Sequence, residues 1–118
     1  MAGHRVDRVS EDIRREIMAV IRELKDPRVQ DKLLTVVRVE VSSDASFAKV
    51  YVSAMEGIET AKTAVKGLVS ATGYIRRTVG QNLHLRKTPE LKFVADDSIA
   101  HGMGIMKMME DLHTDSAE

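Results

Sequence analysis

The chain has 118 residues, 43% apolar and 31% charged, with 18 basic side chains balanced by 18 acidic ones. That length suits one domain able to bury roughly two-thirds of its unfolded surface. The composition is that of an ordinary globule and not of a disordered chain, and the lack of cysteine excludes a disulfide framework and thiolate metal chemistry. No apolar run approaches the roughly 20 residues of a bilayer span and no signal-peptide pattern opens the chain, so a cytoplasmic protein without membrane contact is expected.

The neutral total hides an uneven distribution. Residues 72–92 carry Arg76, Arg77, Arg86, Lys87 and Lys92 against Glu90 alone, whereas residues 93–118 carry Lys107 against six acids. A basic middle and an acidic end suggest one face for a polyanion and one that avoids it.

The elements follow in order. Val6, Val9, Ile13, Ile17, Val20 and Leu24 form the apolar stripe of a first helix. Pro27 ends it, because the residue before a proline is pushed out of the helical region. Val37, Val39 and Val41 alternate with Arg38 and Glu40, and Ala48, Val50, Val52 and Ala54 alternate with Phe47, Lys49, Tyr51 and Ser53. Period two with β-branched residues reads as two strands, and Ser42 to Ser46 supply the turn of an antiparallel hairpin. A second helix uses Ile58, Ala61, Val65 and Leu68 and breaks near Ala71–Gly73. A third uses Ile75, Val79 and Leu83. Glu90–Asp96 follows Pro89 as a third strand, with Leu91, Phe93 and Ala95 on one face. Asp97 or Ser98 then caps a final helix carrying Ile99, Ile105, Met106, Met109 and Leu112. The domain is expected to span 4–113, with 114–118 a disordered tail.

The segment Ser70-Ala71-Thr72-Gly73-Tyr74-Ile75-Arg76-Arg77 carries the chemistry. It interrupts a helix with small residues and places two arginines just inside the next one. Cations near a helix N-terminus are unfavourable by roughly 0.3–1 kcal/mol each unless an anion lies over the same turn. In a chain of this kind the fitting anion is a nucleic-acid phosphate. A tight turn between helices accounts for Ala71-Thr72-Gly73 on its own, small residues and a positive-φ glycine suiting it well. The arginines shift the balance, since a purely structural turn gains more from Asp or Glu.

The order α-β-β-α-α-β plus a C-terminal helix matches a type II K-homology (KH) topology, an α+β fold whose three-stranded sheet carries its helices on one face. The residues also resemble one family, bacterial ribosome-binding factor A, from about Val6 to Leu112. The resemblance rests on Lys25-Asp26-Pro27-Arg28-Val29, on Val39-Glu40-Val41-Ser42 with Asp44 and Ala48-Lys49-Val50-Tyr51-Val52-Ser53, and on Ala71-Thr72-Gly73. Pro89-Glu90-Leu91-Lys92-Phe93, Asp96-Asp97-Ser98, His101-Gly102 and Ile105 extend it. It implies a non-enzymatic assembly factor that binds the small (30S) ribosomal subunit and its 16S rRNA late in maturation. Correct 5′-end processing of that RNA, a larger role in the cold and work alongside maturation GTPases are implied too. K-homology domains usually hold RNA over a GxxG loop; here the segment reads Ser70-Ala71-Thr72-Gly73, without the first glycine, as the family does.

The candidate RNA-binding residues are therefore Ala71, Thr72, Gly73, Arg76 and Arg77, with Arg86 and Lys87 in the connection before the third strand. Arg5 and Arg8, with His4, are retained from the first helix. Its Arg14 and Arg15 read as a salt-bridged solvated face among Asp7, Glu11, Asp12 and Glu16. Asp96-Asp97-Ser98 is explained by a helix cap better than by a metal site, and the four histidines show no ligand spacing. There is no nucleophile–base pairing, phosphate loop or dinucleotide fingerprint, so no catalysis and no cofactor are expected. A monomer is expected. The alternative is a protein-interaction module using the outer hairpin face or the Met-rich final helix.

Overall fold

The structure is a computed structural model. It describes the backbone of residues 2–99 and the side chains of residues 8–99. Within that range the order is α1 (Ala2–Glu23), β1 (Leu34–Val41), β2 (Phe47–Ala54), α2 (Ile58–Ser70), α3 (Thr72–Leu83) and β3 (Glu90–Asp96). Three helices and a three-stranded mixed sheet make an α+β domain in the expected order. The final helix and tail read from the sequence fall outside the described residues.

The periodicity of α1 buries Ile13, Ile17, Val20 and Ile21, with Val9 and Leu24 packed at the margin of the core. The helix stops at Glu23, ahead of Pro27. The Asp26 carbonyl then accepts the N–H groups of Val29 at 2.9 Å and Gln30 at 2.7 Å, turning the chain. The Asp26 carboxylate accepts Arg28 N–H at 2.9 Å and clamps the Arg28 guanidinium at 3.0 and 2.7 Å. From there Arg28 reaches across 42 residues to donate to Ser70 Oγ at 3.2 Å, at the end of α2.

β1 and β2 pair antiparallel, but the register slips between Val36 and Arg38. Val37 is the extra residue of a bulge, so Val36 and Val39 enter the core. The strict alternation of Val37, Val39 and Val41 expected from the sequence is thus corrected. Two adjacent valines conceal which of them the bulge turns inward. In the hairpin turn Ala45 has φ 58°, and Asp44 accepts the hydroxyls of Ser42 and Ser46 at 2.8 and 2.7 Å.

β3 pairs parallel with β2, aligning Phe47 with Glu90 and Val50 with Phe93. A parallel neighbour needs a long crossover, and α2 with α3 supplies it. Leu91 and Phe93 thereby join Ala48, Val50 and Val52 under the helices. After β3, Asp96 closes the turn by accepting Ser98 N–H at 2.7 Å; the cap expected of Asp97 or Ser98 would act on residues outside the described ones. On the opposite face Arg38 lies 4.2 Å from the Tyr51 ring centroid, and Tyr51 donates to Glu40 at 3.0 Å.

Candidate nucleic-acid interface

The break between α2 and α3 occupies one residue. Ala71 sits at φ −97°, ψ 9°, in the bridge region beside the helical one. Its N–H bonds to the carbonyls of Gly67 and Leu68, and Ile75 N–H returns to the Ala71 carbonyl at 2.9 Å. The Thr72 hydroxyl donates to Leu68 and Val69 carbonyls at 3.2 and 2.8 Å, closing the last turn of α2. Gly73 lies inside α3 without a positive φ, which corrects the turn chemistry expected of it. Because α3 begins at Thr72, Arg76 and Arg77 fall in its second turn, one turn later than the sequence suggested.

Gly73 has no structural need to be glycine. A Cβ there would meet nothing within 4 Å, so its backbone lies bare. Gly80 is the opposite case: a Cβ would strike Thr88 Oγ1, and its absence lets α3 seat against the loop before β3. Arg76 fastens the same joint, donating from Nε to the Pro89 carbonyl at 3.0 Å and from Nη2 to the Thr88 carbonyl at 2.8 Å. Glu90 N–H bonds the Ser46 carbonyl at 3.0 Å, adding the hairpin turn to the assembly.

These contacts frame an open cleft of about 690 Å³, lined by Ser46, Gly73, Arg76, Arg77, Lys87, Thr88 and Glu90. Three cations face one carboxylate. Arg77 and Lys87 have no carboxylate partner among the ion pairs of the described residues, which lie elsewhere. Four sequence candidates therefore converge: Gly73, Arg76, Arg77 and Lys87. Ala71 and Thr72 stand directly before them in the break, and Arg86 is exposed beside Lys87 without lining the cleft. Arg8 is exposed on α1 outside the cleft, and the Arg5 side chain lies outside the described residues.

Sequence reasoning missed Ser46, Thr88 and Glu90, which reach the cleft only through the parallel pairing of β3 beside the hairpin turn. It also missed Arg28, whose bond to Ser70 braces the break from below. Arg28 stands in the Asp-Pro-Arg run, and the sequence held no signal of its partner 42 residues away. The Asp26 carboxyl is held down at about 2 by the hydrogen bonds from Arg28. The Asp44 carboxyl is likewise at about 2, through the Ser46 and Ser42 hydroxyls and Ser46 N–H.

The fold and cleft define a small α+β domain that presents an open basic surface where a helix pair meets one end of its sheet. The chain belongs to the ribosome-binding factor A family, whose model matches residues 5–109. It is 45% identical over 108 residues to ribosome-binding factor A of Acetivibrio thermocellus, covering 91% of this chain and 87% of that protein. The crystal structure of ribosome-binding factor A from Thermus thermophilus is similar at a TM-score of 0.64 and 28% identity, over 76% of this chain and 94% of that one. A homology model of the Thermus thermophilus factor, fitted into the cryo-EM map of a complex with 30S, matches at a TM-score of 0.57 and 30% identity. That match covers 70% of this chain and 86% of the fitted one.

Proposed function

We propose that this chain is a ribosome assembly factor that docks on the small ribosomal subunit, with the cleft between α3 and the β3 loop resting on phosphates of 16S rRNA. The observation that carries the reading is the convergence of Gly73, Arg76, Arg77 and Lys87 on one open cleft. Family membership and the similarity to a factor fitted in a 30S complex support the choice of particle. Guanidinium and ammonium donors grip phosphate through charge-assisted hydrogen bonds, and released counterions make the binding salt-dependent. Bare backbone at Gly73 lets a sugar–phosphate chain approach α3 closely.

On this reading the factor carries out no bond chemistry. Binding energy holds one conformation of the RNA over another during late maturation, which favours correct 5′-end processing and matters most in the cold, where wrong RNA pairings escape slowly. It acts in the cytoplasm as a monomer, alongside maturation GTPases. Ala71 and Thr72 shape the break, since the Thr72 hydroxyl proton is already committed to carbonyls of α2. Arg86 extends the basic surface, and Arg5 and Arg8 are kept as further RNA contacts from α1.

Because Arg76 also ties α3 to the loop, reversing it mixes binding with local structure. Arg77→Glu with Lys87→Glu is the cleaner test, neither side chain having an ion-pair or hydrogen-bond partner among the described residues. Co-sedimentation with small subunits should weaken roughly tenfold or more while the thermal midpoint holds. Undiminished co-sedimentation would remove the cleft from the reading.

A further inference from the structure

The end of the sheet opposite the cleft carries a surface of different character. Between the end of α1 and the start of β1 lies a pocket of about 290 Å³, floored by Met18, Ile21, Val29 and Leu34. Ligand pockets start at roughly 300 Å³, so this one suits one or two apolar side chains better than a cofactor. Met18 is fixed in it, its sulfur accepting Val36 N–H at 3.0 Å. Leu33 also lines the pocket and is 61% exposed. A lone exposed leucine is ordinary, but this one adjoins an apolar floor and is held in place. Its N–H donates to the Glu56 carboxylate at 3.0 and 3.3 Å, and its carbonyl accepts Met55 N–H at 3.1 Å.

Arg22 and Lys32 complete the lining. Both are exposed, and neither has a carboxylate partner among the ion pairs of the described residues. Nearby carboxylates stay out of the lining. Glu56 is committed to Leu33 N–H and Asp26 to Arg28, while Glu23 and Asp31 adjoin the two cations in sequence only. An apolar centre inside a charged rim is the anatomy of a protein contact. RNA would use the two cations but not the floor, which offers no aromatic face to a base.

We propose that this pocket docks an acidic segment of a partner protein. One apolar side chain of the segment enters against Met18, Ile21 and Val29, and its flanking carboxylates pair with Arg22 and Lys32. The site does not rest on the RNA reading of the cleft. The eight-residue β1 separates it from the hairpin turn at the cleft, so both ends of the sheet can be occupied at once.

The test follows the methionine methyl signals of the isotope-labelled full chain by NMR, with Met18 assigned from a Met18→Leu variant. The probe is a short synthetic peptide of Glu and Leu with the leucines at helical spacing. One control peptide carries Lys in place of Glu, and another carries Ala in place of Leu. The acidic leucine peptide should shift the Met18 signal saturably, and the controls should not at equal concentration. Arg22→Glu with Lys32→Glu should weaken binding roughly tenfold, Leu33→Ser should weaken it as well, and each variant should keep its thermal midpoint. No shift at Met18, an equal response to the Lys peptide, or unaltered affinity in the charge-reversed variant would overturn the proposal. A Met18 shift caused by a short RNA strand, or by raising the protein concentration alone, would also overturn it, assigning the pocket to nucleic acid or to a second copy. So would a shift caused without peptide by Glu110→Gln with Asp111→Asn, which would assign it to the chain's own acidic end.

Discussion

Asp26 and Arg28 show how one residue pair reaches the site from a distance. Asp26 holds the Arg28 guanidinium in a two-pronged pair, and the held guanidinium braces Ser70. The carboxyl is lowered from 3.8 to about 2, as is that of Asp44. Both bind a proton less tightly in the folded chain than in the unfolded one. Their contribution to stability is therefore complete above the unfolded carboxylate range, near pH 4–5, and is lost as pH falls through about 2. Thermal melts should show Asp26→Asn below the parent at pH 7, with the gap closing as pH approaches 2. A gap of constant size across that window would separate the low carboxyl pKa from stability. The Asp-Pro-Arg run was visible in the sequence as a motif. Its brace was not, because a side-chain bond spanning 42 residues leaves no mark on local pattern.

At the scale of elements, α3 is set by two glycines with opposite reasons. Gly80 is required by contact: a methyl group would strike Thr88 Oγ1 and push the helix off the loop. Gly80→Ala should cost about 1–3 kcal/mol in chemical denaturation, the usual penalty of overpacking. Gly73 meets open space, so Gly73→Ala should be neutral or stabilise by up to about 1 kcal/mol through helix propensity. If its backbone approaches RNA, that same variant loses affinity for the small subunit. A gain in stability with a loss in binding is the expected signature, and unchanged binding would release Gly73 from the interface. The helices and the hairpin were readable because periods of 3.6 and 2 separate them cleanly. The bulge at Val37 was not, because positions 36 and 37 are both valine and pattern cannot choose between them. The one-residue break was misjudged for a related reason: Gly73 suggested a left-handed turn, whereas Ala71 bends the chain in the bridge region at negative φ.

For the whole molecule, parallel pairing of β3 with β2 is the decisive fact. It carries the loop before β3 and the hairpin turn to the same end of the sheet and sets α3 across them. A basic stretch that is only a composition bias in the sequence becomes a cleft with three cations on its walls. Four of the RNA-binding candidates named from the sequence, Gly73, Arg76, Arg77 and Lys87, line this cleft, because charge and the helix break are local signals. It could not place Ser46, Thr88 and Glu90 there, nor assign Arg76 its second task of holding Thr88 and Pro89, because both depend on the sheet closing.

The central claim is that this end of the sheet faces ribosomal RNA. The chain contains no cysteine, so a single introduced thiol can carry an iron chelate that cleaves RNA nearby. Glu90→Cys places the chelate at the cleft rim. Lys32→Cys, just before β1, places it at the far end of the sheet, more than about 20 Å away along an eight-residue strand. In complexes with small subunits, the account predicts strong, localised cleavage of 16S rRNA from position 90 and little from position 32. Cleavage that is equal from both positions, or stronger from position 32, would contradict it.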